Sequence, residues 1–103
     1  MKTYNGVEQE STMPLRCGRW DPDTGGWGKR KLDAKNRWDA WWDGMIGTTL
    51  QNPDDVDRAG TSKTYKSEWF EECNPEYRFI VVTETKQYGD GKQGVINAYK
   101  LYR

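Results

Sequence analysis

The side chains able to do chemistry in this chain are tryptophans, carboxylates and lysine or arginine cations; histidine is absent. Without histidine there is no Ser-His-Asp or Cys-His relay. Two cysteines and no histidine also cannot build a zinc set. Arg16 and Arg19 flank Cys17 and would favour its thiolate, but the ordinary account is a small strand residue. Cys73 follows Tyr65 and Trp69 on one apolar stripe, which makes it a core residue. A glycosidase needs two acids facing across a cleft. Here Asp39 and Asp43 share one helical face and Glu68, Glu71 and Glu72 another, the pattern of a solvated surface. The chain is therefore expected not to be an enzyme and to use no cofactor.

Asp21, Asp23 and Gly26 match positions 1, 3 and 6 of a calcium loop. Position 5 is Gly25, position 12 is Leu32, and Lys29, Arg30 and Lys31 would repel a cation. A tight turn accounts for these residues better, so no metal is expected.

Two binding chemistries remain. In the first, the chain binds a protein. Nine acids fall within residues 39–76 against three bases, a net charge of −6. Interface cores are enriched in Trp, Tyr, Met and Arg. A surface of Asp39, Asp43, Asp54 and Asp55 with an exposed ring such as Trp27 would suit a basic groove on a larger protein. Small, polar, cofactor-free chains favour stoichiometric binding over turnover, so an inhibitor or adaptor is the expected function. In the second, the chain binds single-stranded nucleic acid. Residues 25–31 set Trp27 among glycines beside Lys29, Arg30 and Lys31, able to grip phosphates and stack a base. Arg78, Lys86, Lys92, Lys100 and Arg103, interleaved with Tyr77, Tyr88, Tyr99 and Tyr102, would extend that surface. No RNP or KH signature accompanies them. Exposed tryptophans holding carbohydrate are a further, weaker reading.

The elements that must position these groups follow from composition and periodicity. The chain has 103 residues, enough for one domain. Its mean hydropathy of −1.10 is very polar, offset by 14% aromatic residues, which bury much area each. Formal charge is zero, with 16 acidic and 16 basic residues. Non-specific nucleic-acid binding is thereby disfavoured, although opposed basic and acidic faces are compatible with it. No apolar h-region opens the chain and no apolar run matches a membrane span. A cytoplasmic location with reduced thiols is expected, though a Cys17–Cys73 bridge stays open.

Residues 1–12 are expected to be loosely ordered, and residues 13–103 to form one domain. Residues 15–20 and 27–32 bracket a turn-forming stretch. They predict a hairpin with a six-residue loop and a Trp20–Trp27 cross-strand pair. Trp38, Trp41, Trp42, Met45, Ile46 and Thr49 recur at helical spacing behind Asp33 as N-cap. Asn52-Pro53-Asp54-Asp55 predicts a second helix start, and residues 62–73 a third helix ended by Asn74-Pro75. Residues 77–86 and 94–102 predict a second hairpin about a turn at 89–91. The class is α+β: an antiparallel sheet of N-terminal and C-terminal hairpins with two or three short helices on one face. The core is expected to comprise Trp38, Trp41, Trp42, Trp69, Phe79, Ile80, Val82, Ile96 and Leu101.

Overall fold

The computed structural model describes residues 2–5, 13–69, 77–84 and 93–102, without the side chains of Lys2 and Trp69. The chain runs β1 (Lys2–Tyr4), β2 (Met13–Leu15), β3 (Arg19–Asp21), β4 (Gly25–Trp27), α1 (Gly28–Ala34) and α2 (Ala40–Gln51). It ends with β5 (Asp55–Ala59), β6 (Ser62–Trp69), β7 (Tyr77–Glu84) and β8 (Gly94–Tyr102). β5-β6-β7-β8 form one antiparallel four-stranded sheet; β1-β2 and β3-β4 are separate two-stranded ribbons. The class is α+β, as expected. No helix is long and apolar enough to cross a membrane.

The C-terminal hairpin is the element most legible in sequence. β7 and β8 pair antiparallel, Tyr77 opposite Tyr102, with a register shift at Val82/Thr83. Alternation along β7 sends Tyr77, Phe79 and Val81 to one face, where they join Tyr65 of β6 and Val95 and Ala98 of β8. Leu32 of α1 and Met45, Ile46 and Leu50 of α2 close over this same cluster. Ile80 points to the opposite face yet is also buried. Its cross-strand neighbours are Lys66 and Tyr99, whose long side chains stand on that same face.

Two expected helices are strands. Residues 62–69 form β6, with Tyr65 and Ser67 buried and Thr64, Lys66 and Glu68 half-buried. The stripe Tyr65, Trp69, Cys73 has a spacing of four, an even number that satisfies period 2 as well as period 3.6. Pairing with β5 and β7 decided between them. Cys73, with the rest of 70–76, lies outside the described residues. The capping signal at residues 52–55 marks a turn instead. Asn52 caps the end of α2 through its N–H to the Thr48 carbonyl at 2.8 Å. Asp54 bridges to β6, accepting from the Glu68 N–H at 2.7 Å, while Asp55 accepts from the Val56 N–H at 2.9 Å. Short acids bind backbone N–H groups in turns and at helix starts alike, so the residue types do not separate the two.

The first hairpin exists but is shorter than expected. Asp21 Oδ1 accepts from the Asp23 and Thr24 N–H groups at 2.7 and 3.2 Å, closing a tight loop before Gly25. Trp20 lies opposite Gly26, and Trp27 opposite Arg19. The two rings are therefore one register step apart, on opposite faces of the ribbon, and do not form the expected pair. A Cβ on Gly26 would overlap the Arg19 carbonyl, so the ribbon needs glycine there. Residues 28–32, expected as a strand, begin α1. Its run of strong helix formers is braced by Lys29 and Asp33 at i, i+4, 3.0 Å apart. Asn36 then takes a left-handed φ of 55° and breaks the helical path.

The tryptophan helix accordingly starts at a different cap. Asp39, not Asp33, accepts from the Trp42 N–H at 2.9 Å. Trp38 precedes the helix. Inside the stretch expected to be loose, Lys2–Tyr4 forms a strand paired with Met13–Leu15; residues 6–12 lie outside the described residues. Tyr4 is buried against α2 and donates its hydroxyl to Asp43 Oδ1 at 2.7 Å. A Cβ on Gly47, one turn further along, would meet the Tyr4 ring at 3.7 Å.

Burial holds the Tyr4 phenol well above its ordinary value near 10, with the hydrogen bond to Asp43 and the carboxylate's charge acting the same way. The folded chain therefore keeps this proton at a pH where the unfolded chain has lost it. Stability from this group is full below about pH 10 and falls as pH rises further. Urea midpoints measured from pH 8 to pH 11 should decline more steeply in the unmodified chain than in Tyr4→Phe. Parallel slopes would show that Tyr4 is not the group responsible.

Candidate functional site

Of the expected core, Phe79 and Ile80 are buried, Trp38, Trp42, Val82 and Ile96 half-buried, and Trp41 and Leu101 exposed. Trp69's side chain lies outside the description. Aliphatic residues and tyrosines took the interior because α2 turns Met45, Ile46, Thr49 and Leu50 inward, leaving its tryptophan-bearing first turn at the sheet's end. Trp41, Leu101 and Tyr102 are the large hydrophobic side chains exposed among the described residues, at 40%, 51% and 57%.

Trp41 and Tyr102 belong to one aromatic cluster. Trp41 meets Trp42 edge-on, with centroids 5.6 Å apart, and Phe79 at 5.9 Å. Trp42 tilts over Phe79 at 5.2 Å. Across the strands Phe79 lies opposite Lys100, and Tyr77 opposite Tyr102, the latter two rings 5.8 Å apart. The Lys100 ammonium sits among them, 4.3 Å from the Trp41 centroid, 5.0 Å from Tyr77 and 6.0 Å from Trp42. These are cation–π distances. Lys100, expected to contact nucleic acid, is half-buried against three of the protein's own rings.

The acidic surface is divided. Asp39 is exposed beside Trp41, although one oxygen caps α2. Asp43 is half-buried and receives the Tyr4 hydroxyl. Asp54 and Asp55 lie beyond the other end of the 12-residue α2, about 18 Å away at 1.5 Å per residue. All four were expected on one surface; the helix separates them into two pairs. Neighbouring charges are paired locally, Lys66 with Asp57 at 2.6 Å and Arg78 with Glu68 at 2.8 Å.

The basic loop is occupied with its own fold. Trp27 is buried, and its Nε1 meets no acceptor among the described residues. A ring so placed is offered neither to a base nor to a protein. Gly28, at φ 77°, turns the chain inward behind it. Lys29 is bound to Asp33 and lies 5.6 Å over the Trp38 ring. Arg30 Nη1 reaches the Gly18 carbonyl at 3.5 Å, and Lys31 is half-buried. Lys35 covers Trp20 at 4.9 Å and Arg37 covers Tyr99 at 6.0 Å. Lys86 lies outside the described residues. Among the described residues no three of His, Cys, Asp and Glu gather to hold a metal ion.

The sequence reading missed the cluster of Trp41, Tyr77, Lys100 and Tyr102 as a unit. One signal for it was present. Counting outward from a turn centred near residue 90 places Tyr77 opposite Tyr102 within one residue. Nothing local, however, brings the first turn of α2 to that strand end. No family model, curated protein or solved structure matches this chain.

Proposed function

We propose that this chain is a non-enzymatic binding protein, a stoichiometric inhibitor or adaptor acting in the cytoplasm on a larger protein partner. Its contact surface is the aromatic end where α2 begins and β8 finishes. One observation carries this reading: exposed Trp41 lies against Lys100, and exposed Tyr102 packs on Tyr77, whose ring faces the same Lys100, with Asp39 exposed two residues before Trp41. Tryptophan and tyrosine anchor interfaces because they bury large rigid area at little entropic expense. The divided acids narrow the acidic part of the surface to Asp39, with Asp54 and Asp55 at a separate place.

The nucleic-acid reading draws no comparable support, since its central ring, Trp27, is buried. The test is capture from a host lysate with the tagged chain, with and without nuclease. A defined protein should be recovered in both, and Trp41→Ala with Tyr102→Ala should lose it while circular dichroism stays unchanged. Reversing the charge of Asp54 and Asp55 should not release it. Recovery that disappears with nuclease, or survives the double substitution, would contradict this surface.

A further inference from the structure

We propose that Trp41, Trp42 and Tyr77 form a cage for a quaternary ammonium group, which the Lys100 side chain fills in the unliganded chain. Three rings converge on one cation at 4.3, 6.0 and 5.0 Å. Phe79 lies beneath both tryptophans, and the 40% exposure of Trp41 leaves one wall open to solvent. Among the described residues no carboxylate pairs with Lys100. Among the described residues, then, π-faces hold this positive charge.

A primary ammonium is a poor occupant of such a place. It carries three N–H donors that rings satisfy weakly, and it is strongly hydrated. A quaternary ammonium has no donor to satisfy, and its methyl groups add apolar contact to the same attraction. It therefore gains more from the cage than Lys100 does, and that difference is what allows displacement. Lys100 stands on β8, so it leaves by rotating its own side chain while the strand stays paired. The ligand class is a trimethylated lysine or a choline head, which share this chemistry. The inference deepens the contact surface proposed above and rests on it.

The test is titration of the whole chain with choline and with Nε-trimethyllysine, followed by tryptophan fluorescence and by the indole N–H signals in NMR. Tighter binding of one would name the source of the group, a lipid head or a modified protein; binding of either supports the cage. If Lys100 fills the cage nine-tenths of the time, Lys100→Gln should bind about ten-fold tighter than the unmodified chain. Lys100→Arg, which keeps a cation on the rings, should show no such gain. Trp41→Ala should weaken binding at least about ten-fold. The uncharged tert-butyl analogue of choline, equal in size, should bind far more weakly. Lys100→Gln binding no ligand, or taking the neutral analogue equally well, overturns the cage. Partner capture without ammonium binding removes the cage and leaves the contact surface standing; ammonium binding without capture does the reverse.

Discussion

Phe79→Ala should lower stability by about 3–5 kcal/mol, the usual result of truncating a fully buried phenylalanine. Phe79 has no exposed surface and supports both Trp41 and Trp42. Its removal opens a void between β7 and α2 that backbone pairing on both sides keeps from collapsing. A domain of this size has roughly 5–15 kcal/mol to lose, and each kcal/mol is about 4–8 °C in Tm. The melting temperature should fall by on the order of 20 °C. Trp41→Ala should lose much less, because its ring is already partly in water. Comparing the two by thermal melting separates the cluster's floor from its rim. Equal losses would mean that Trp41 is core, and the proposed contact surface would fail with it.

Gly94→Ala is the second large effect, about 3 kcal/mol of destabilisation. Gly94 holds φ at 84°, a region that costs an L-residue roughly 1–2 kcal/mol. A Cβ there would also overlap the Pro14 carbonyl, where β2 lies against the start of β8. Overpacking adds about 1–3 kcal/mol more. Since the obstruction is backbone, no rotamer change relieves it. Gly44→Ala is the internal contrast. Gly44 sits in α2 with nothing within 4 Å of the added methyl, so alanine should stabilise by about 0.5–1 kcal/mol through helix propensity. Opposite shifts in the urea midpoint are expected from the same chemical change. Shifts of the same sign would contradict the close approach of β2 to β8.

How much of this was legible before folding depends on whether a local pattern had one meaning. The pairing of the two C-terminal strands was read correctly because Phe79 to Val82 and Val95 to Leu101 are rich in β-formers; the turn expected at 89–91 lies outside the described residues. The tryptophan helix was also visible, through i, i+3, i+4 spacing that no strand can imitate. Residues 62–69 were misread because a spacing of four belongs to both periods. Residues 52–55 were misread because Asn, Pro and Asp serve turns and helix starts equally. In both places neighbouring strands broke the tie, and neighbours are not encoded locally.

The candidate site shows the same division. Composition and residue order were enough to show the chemistry on offer: no histidine relay, no zinc set, an excess of rings, and lysines spaced among tyrosines. They also determined which strands would carry Tyr77, Lys100 and Tyr102. Which rings stay out of the core was settled by packing. Burial belongs to the packed whole, and once Met45, Ile46 and Leu50 filled the space above the sheet, Trp41 was left at the rim. The same packing drew Trp27 inside, set Asp39 about 18 Å from Asp54 along α2, and delivered Lys100 to three rings from two distant parts of the chain. Contacts between residues 41 and 100 arise from docking a helix on a strand end, and no periodicity read along the chain reports where that docking occurs.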